Sequence, residues 1–291
     1  MRIKIIILSS LVFFMSYVHG ESNSYIVPFE LTQSGHILVT AKINGREGRF
    51  IFDTGAGINL LIKKFADKTP NLEKSEHFYT GHRSTGEELM MDIWKLNNLQ
   101  IGKFSATNEI CSVYDIDFPF DGLISLTPFL STPITIDFLN KQLIIETKRS
   151  IKKRISSADY QIPIKIHNDK GISIDIATNI KLNDTLDLLV NLDSGSGFGS
   201  YKFNYRYMSN LNIDTSNVKK IERESMFKSG YYNTHYFTKV NQLSDINNNV
   251  ITKQINAQFI TGLIYEGIVG INWIGSIITF DLANKRLIVK K

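Results

Sequence analysis

Arg49-Phe50-Ile51-Phe52-Asp53-Thr54-Gly55-Ala56-Gly57-Ile58-Asn59-Leu60-Leu61 is the stretch on which the reading of this chain turns. Three bulky apolar residues, Phe50 to Phe52, lead a carboxylate into a glycine-rich turn. Burying a charge next to such a strand is costly unless the charge is paired or hydrogen-bonded. Glycines remove Cβ atoms, so the turn can be sharp and can approach another surface closely. The arrangement returns at Leu188-Leu189-Val190-Asn191-Leu192-Asp193-Ser194-Gly195-Ser196-Gly197. One Asp-hydroxyl-Gly is an ordinary turn composition. Two copies, each with a small-Gly pair and an apolar approach, are a signal.

Outward from Asp53 the pattern is strand after strand. Ile37, Val39, Ala41 and Ile43 alternate onto one face, and Asn44-Gly45 is a hairpin turn. The chain then returns along Arg49–Phe52, which mounts Asp53 on a loop at the end of a hairpin-supported strand. Residues 58–68 predict a short helix or strand edge before Thr69-Pro70, and residues 77–86 read as an exposed hairpin tip. Strands follow at 92–99 and 104–113. The second half restarts with alternating Ile172, Ile174 and Ile176, turns at Asn183-Asp184, and climbs into Asp193.

A long-period repeat extends beyond the two turns. Asp121-Gly122-Leu123-Ile124, followed by Ile134-Thr135-Ile136-Asp137 and Asn140-Lys141, closes the first half. Glu266-Gly267-Ile268-Val269, followed by Ile278-Thr279-Phe280-Asp281 and Asn284-Lys285, closes the second. Such self-similarity means duplicated units, here two lobes with terminal hairpins turning at Asn-Lys. The charged, polar segment 147–159 reads as the linker between them.

Asp53-Thr-Gly-Ala-Gly and Asp193-Ser-Gly-Ser-Gly resemble the active-site signatures of the aspartic peptidases, the pepsin and retropepsin superfamily. The resemblance implies an all-β chain of two similar β-barrel lobes with the active site in the cleft between them. An N-terminal lobe would span 21–150 and a C-terminal lobe 151–291. Asp53 and Asp193 would be the catalytic pair, with Thr54, Gly55, Ser194 and Gly195 supporting the two turns. A flap would carry Tyr79 and Gly81; the alternative for Tyr79 is a solvated hairpin with one buried aromatic. Ile268-Val269-Gly270 matches the strand that passes beside the catalytic turn, whereas Ser125 stands where the family has Gly. Tyr201, Tyr205, Tyr231 and Tyr232 would line a pocket or belong to the core.

The implied reaction is peptide-bond hydrolysis by a water activated between two carboxylates, without metal, cofactor or covalent intermediate. Its substrate would be a peptide or protein, and the molecule a monomer whose lobes form an intramolecular pseudo-dimer. The rival reading is a peptidase-shaped module that binds peptides or envelope proteins without cutting them.

Residues 1–20 have a basic start, an apolar run from Ile5 to Val18 and small residues before Glu21, the pattern of a secretory signal peptide. The expected location is therefore periplasmic or extracellular, with no stable membrane insertion once the leader is cleaved. The first strand begins close to Glu21, so no pepsin-type zymogen is expected. The net charge of +5 falls by two with the leader, and no polybasic arm with interleaved aromatics suggests nucleic acid. Cys111, the single cysteine, allows no internal disulfide and reads as a small apolar residue. No His-Glu-x-x-His or Gly-x-Ser-x-Gly is present, and the Gly195–Gly199 loop lacks the β-α-β setting of a dinucleotide site.

Overall fold

The computed structural model describes residues 24–291; the leader 1–20 lies outside them. Strand Ile37–Ile43 buries Ile37, Val39, Ala41 and Ile43 while Thr40 and Lys42 face solvent, as period-two alternation requires. Asn44 and Gly45 both adopt positive φ (48° and 85°), the backbone of a tight twisted hairpin. The Asn44 side chain then ties the turn to the backbone of Asn97, Asn98 and Pro70.

Arg46–Phe52 continues from this turn into an eight-stranded sheet. Its order is Glu30–Leu31, Ile37–Ile43, Arg46–Phe52, Gly122–Ile124, Asn59–Ile62, Phe104–Tyr114, Glu88–Ile101, Glu73–His82. Pairing of Lys42 with Gln100 and of Ile43 with Leu99 closes the sheet on itself. The second lobe repeats this order strand for strand, from Lys165–Asp169 to Lys219–Glu224. There Ile180–Leu182 against Leu243–Asp245 supplies the closure. The protein is thus an all-β molecule of two similar barrel-like lobes. Phe50, Phe52 and Phe129 are fully buried in the first, Phe203 and Phe259 in the second.

The two terminal hairpins do not stay with their own lobes. They pair with each other, Ile134–Asp137 antiparallel to Ile277–Asp281, and form the centre of a six-stranded sheet beneath both lobes. Thr135 faces Thr279 in that register, and their hydroxyls meet at 2.7 Å. The Asn-Lys turns are as expected: Lys141 and Lys285 both have φ of 52°.

The segment read as a linker is a helix, Lys148–Ser157. Thr147 and Ser150 form a reciprocal cap at its start. Arg154 then reaches the buried Glu146 at 2.8 Å, and Glu146 also accepts from Thr135 at 2.6 Å. The helix is therefore anchored to the shared sheet by one ion pair rather than by an apolar stripe. Cys111 is fully buried, and burial pushes its thiol up to about 12, in keeping with an inert core residue.

Candidate active site

Each aspartate leaves a strand pinned on one side by a short parallel partner. Phe50, Ile51 and Phe52 pair with Gly122, Leu123 and Ile124; Val190, Asn191 and Leu192 pair with Gly267, Ile268 and Val269. The register continues into the turns, where Asp53 N–H donates to Ile124 O and Asp193 N–H to Val269 O, both at 2.9 Å. The repeated acidic-Gly signal has a physical cause here. Asp121 accepts the Arg49 N–H at 2.8 Å and Glu266 accepts the Leu189 N–H at 2.6 Å, fixing the start of each aspartate strand. A Cβ at Gly122 would collide with Leu60 O, so that close passage needs glycine. Ser125 is accommodated where Gly270 stands in the other lobe: it is fully buried, and its N–H and hydroxyl both donate to Asn59 Oδ1.

Four hydrogen bonds join the turns across the lobe boundary. Thr54 N–H donates to Ser194 Oγ and Ser194 N–H to Thr54 Oγ1, each at 3.0 Å. The two hydroxyls donate onward, Thr54 to Leu192 O at 2.9 Å and Ser194 to Phe52 O at 2.8 Å. This exchange satisfies buried donors that would otherwise be costly. Gly55 and Gly195 are what let the carboxylates approach. A Cβ on Gly55 would stand 2.6 Å from Asp193 Cγ, and one on Gly195 would overlap the Asp53 carboxylate.

Electrostatically the two aspartates differ. Burial, and then the neighbouring Asp193 charge, raise Asp53 well above the usual carboxylate range; N–H donation from Gly55 and Ala56 to Oδ1 opposes the rise. Asp193 instead accepts from Ser196 Oγ at 2.5 Å, and Lys202 Nζ donates to Ser196 at 3.2 Å. The pairings of Gly122 with Leu61 and of Gly267 with Phe203 align Lys202 with Leu60 of the first lobe. Ser196 likewise corresponds to Ala56. Lys202 was not found by sequence reasoning, because its place beside the site depends on this cross-strand register.

The hairpin of Glu73–His82 and Glu88–Ile101 covers the aspartates, but its tip is shorter than the sequence suggests. Residues 77–82 are strand, and the turn comprises 83–87. Gly81 is buried there, against Met91 and Tyr79. Tyr79 reaches across to the second lobe, where its hydroxyl bonds Ser173 Oγ at 3.0 Å. The tip also docks on the second lobe. Ser84 O accepts from Ile264 N–H at 3.0 Å, Thr85 O from Tyr231 Oη at 2.8 Å, and Arg83 stacks on Phe227 at 4.1 Å.

Beneath the tip lies a cavity of about 310 Å³ whose lining includes Asp53, Asp193, Leu60, Met91 and Tyr265. Tyr265 is the cleft tyrosine that sequence reasoning missed; burial, with nearby Asp175, pushes it up to about 12. Of the four tyrosines considered for a pocket, Tyr201 is core, Tyr205 packs on Tyr236, and Tyr231 holds the tip. Tyr232 is exposed.

Residues 39–127 match the family model described as aspartyl protease, a span that contains the Asp53 turn, the covering hairpin and Gly122. No curated protein matches the sequence. Among solved structures, basic 7S globulin from soybean superimposes with a TM-score of 0.54. It is 8% identical, with 91% of this chain and 94% of that chain covered. At that identity the likeness is one of fold.

Proposed function

We propose that this chain, a two-lobed member of the aspartic peptidase superfamily, is an endopeptidase whose Asp53 and Asp193 activate a water against a peptide bond. The observation that carries the reading is the close approach of two half-buried carboxylates, one from each lobe, on turns joined by the reciprocal Thr54–Ser194 hydrogen bonds. Two such groups cannot both ionise cheaply, so the pair keeps one proton. The carboxyl that holds the proton hydrogen-bonds the scissile carbonyl oxygen, while its ionised partner takes a proton from the attacking water. Ser196 Oγ, donating to Asp193 at 2.5 Å, supports that side of the pair. The tetrahedral intermediate collapses when a proton reaches the leaving nitrogen. Tyr79 and the 83–87 tip would exclude solvent, and must lift to admit a peptide.

We extend the proposal to export through the leader 1–20, and to action as a monomer. No described helix is long and apolar enough to cross a membrane. The deciding experiment follows peptide cleavage from acid to neutral pH by the processed protein beside Asp53→Asn and Asp193→Asn. Each substitution is expected to lower kcat/KM by roughly 10³-fold or more with folding intact. Absence of cleavage by the well-folded wild type across a broad peptide library would favour a peptide-binding module.

A further inference from the structure

A second cavity of about 310 Å³ adjoins the one over the aspartates, and Arg83 and Ser84 line both. Its walls are the hairpin tip, the Tyr201–Asn204 strand and the Lys219–Glu224 and Tyr232–Asp245 strands of the second lobe. Arg83, Lys202 and Arg223 face it together. None of the three has a carboxylate within 4.0 Å among the described residues.

Two acids also line the cavity, and neither stands within 4.0 Å of the three cations. Glu87 is buried and accepts from the Thr85 hydroxyl, and it attracts Arg83 from beyond ion-pair distance. Glu224 accepts the Gly230 N–H at 2.7 Å and lies exposed. His235 is buried against Gln258, and burial lowers it, so it adds no fixed charge near neutral pH. Burial likewise lowers Lys202; Asp193 pulls the other way, and Arg83 and Arg223 add repulsion. Three cations share this recess with one buried carboxylate, Glu87, and a further anion would improve that balance.

We propose that this recess is a carboxylate subsite, which selects peptides bearing an acidic group next to the scissile bond. Lys202 fixes the location, because it is linked through Ser196 to Asp193 itself. A carboxylate meeting Lys202 therefore belongs to a residue flanking the bond attacked over Asp193. Arg83 comes from the covering hairpin, so acid binding also fastens the tip in place. The inference rests on the peptidase reading for its placement of the substrate, although the subsite itself is a matter of binding.

The test compares peptides that differ only as Glu or Gln at each of the four positions nearest the cut, with free-acid and amide C-termini as a second arm. Glu is expected to exceed Gln by about 10-fold in kcat/KM at one flanking position, the size of one charge-assisted hydrogen bond. Lys202→Met and Arg223→Met should bring that ratio close to one, while Lys202→Arg retains it. A preference that follows the free C-terminus instead assigns the same subsite to a chain end. If no peptide is cut, the same pairs are measured by fluorescence anisotropy. A Glu-over-Gln affinity lost in Lys202→Met then supports the subsite even as the peptidase reading fails. Equal handling of Glu and Gln in both assays, or a preference untouched by Lys202→Met and Arg223→Met, overturns the proposal.

Discussion

The first and second lobes differ least where they meet and most one turn away. Thr54 and Ser194 exchange matching bonds, and the strands behind both aspartates are pinned by the same acid-and-glycine device. Two residues further on, and again on the next strand, the lobes diverge: Ala56 and Leu60 stand on the first side, Ser196 and Lys202 on the second. Duplication has kept the groups that assemble the pair and varied the groups that set its electrostatics. The same split recurs around the pinning strands. Asn59 serves Ser125 in the first lobe, whereas in the second Asn272 accepts from the Gly199 N–H.

The symmetric part of this comparison breaks most visibly at the hydroxyls. Thr54→Val and Ser194→Ala each orphan a buried N–H in the opposite turn, a loss of roughly 1–3 kcal/mol. Urea unfolding should give nearly equal losses for the two. A clearly unequal pair would show that one lobe carries the junction alone.

The asymmetric part is sharpened by pH. The folded pKa of Asp53 lies well above the ordinary carboxylate value of 3.8, so the folded state holds that proton more tightly than the unfolded chain. Its favourable contribution is complete below the unfolded value and is lost as pH rises through the folded one. Asp53→Asn should therefore raise Tm relative to wild type at neutral pH, with the gain shrinking toward pH of about 4. A gain that is constant across this range would contradict a buried, shared carboxyl pair.

The smallest effect is expected at the hairpin tip, which Tyr231 and Phe227 of the second lobe hold. Tyr231→Phe removes one bond to Thr85 O, about 0.5–1.5 kcal/mol of closure. Peptide kinetics should show a several-fold change in KM with little loss of stability. An unchanged KM would mean that the tip is held by Ile264 and Phe227 without Tyr231.

Much of this was legible in the sequence because it is local. The aspartate turns, the Asn44-Gly45 hairpin and the Asn-Lys turns each depend on residues adjacent in the chain, and the repeat revealed two lobes. The helix 148–157 escaped notice because no apolar stripe marks it; its stability comes from the Thr147–Ser150 cap and from Arg154 meeting Glu146. The shared six-stranded sheet was hidden for a related reason, since each terminal hairpin reads the same whether it pairs at home or across the molecule. Lys202 and Tyr265 were invisible as site residues. Only the parallel and antiparallel registers of distant strands bring them to Asp193, and no single-chain spacing encodes those registers.

The proposed peptidase chemistry requires that the two lobes assemble one carboxyl pair tuned to a tetrahedral intermediate. Its most direct test is the affinity for a peptide whose scissile amide is replaced by a hydroxyl-bearing tetrahedral carbon, measured against the parent peptide. The account predicts binding at least about 100-fold tighter for the tetrahedral peptide in the wild type. That advantage should disappear in Asp53→Asn and in Asp193→Asn alike. Equal affinity for both peptides in all three proteins would contradict the account, leaving a cleft that holds peptides without recognising their transition state.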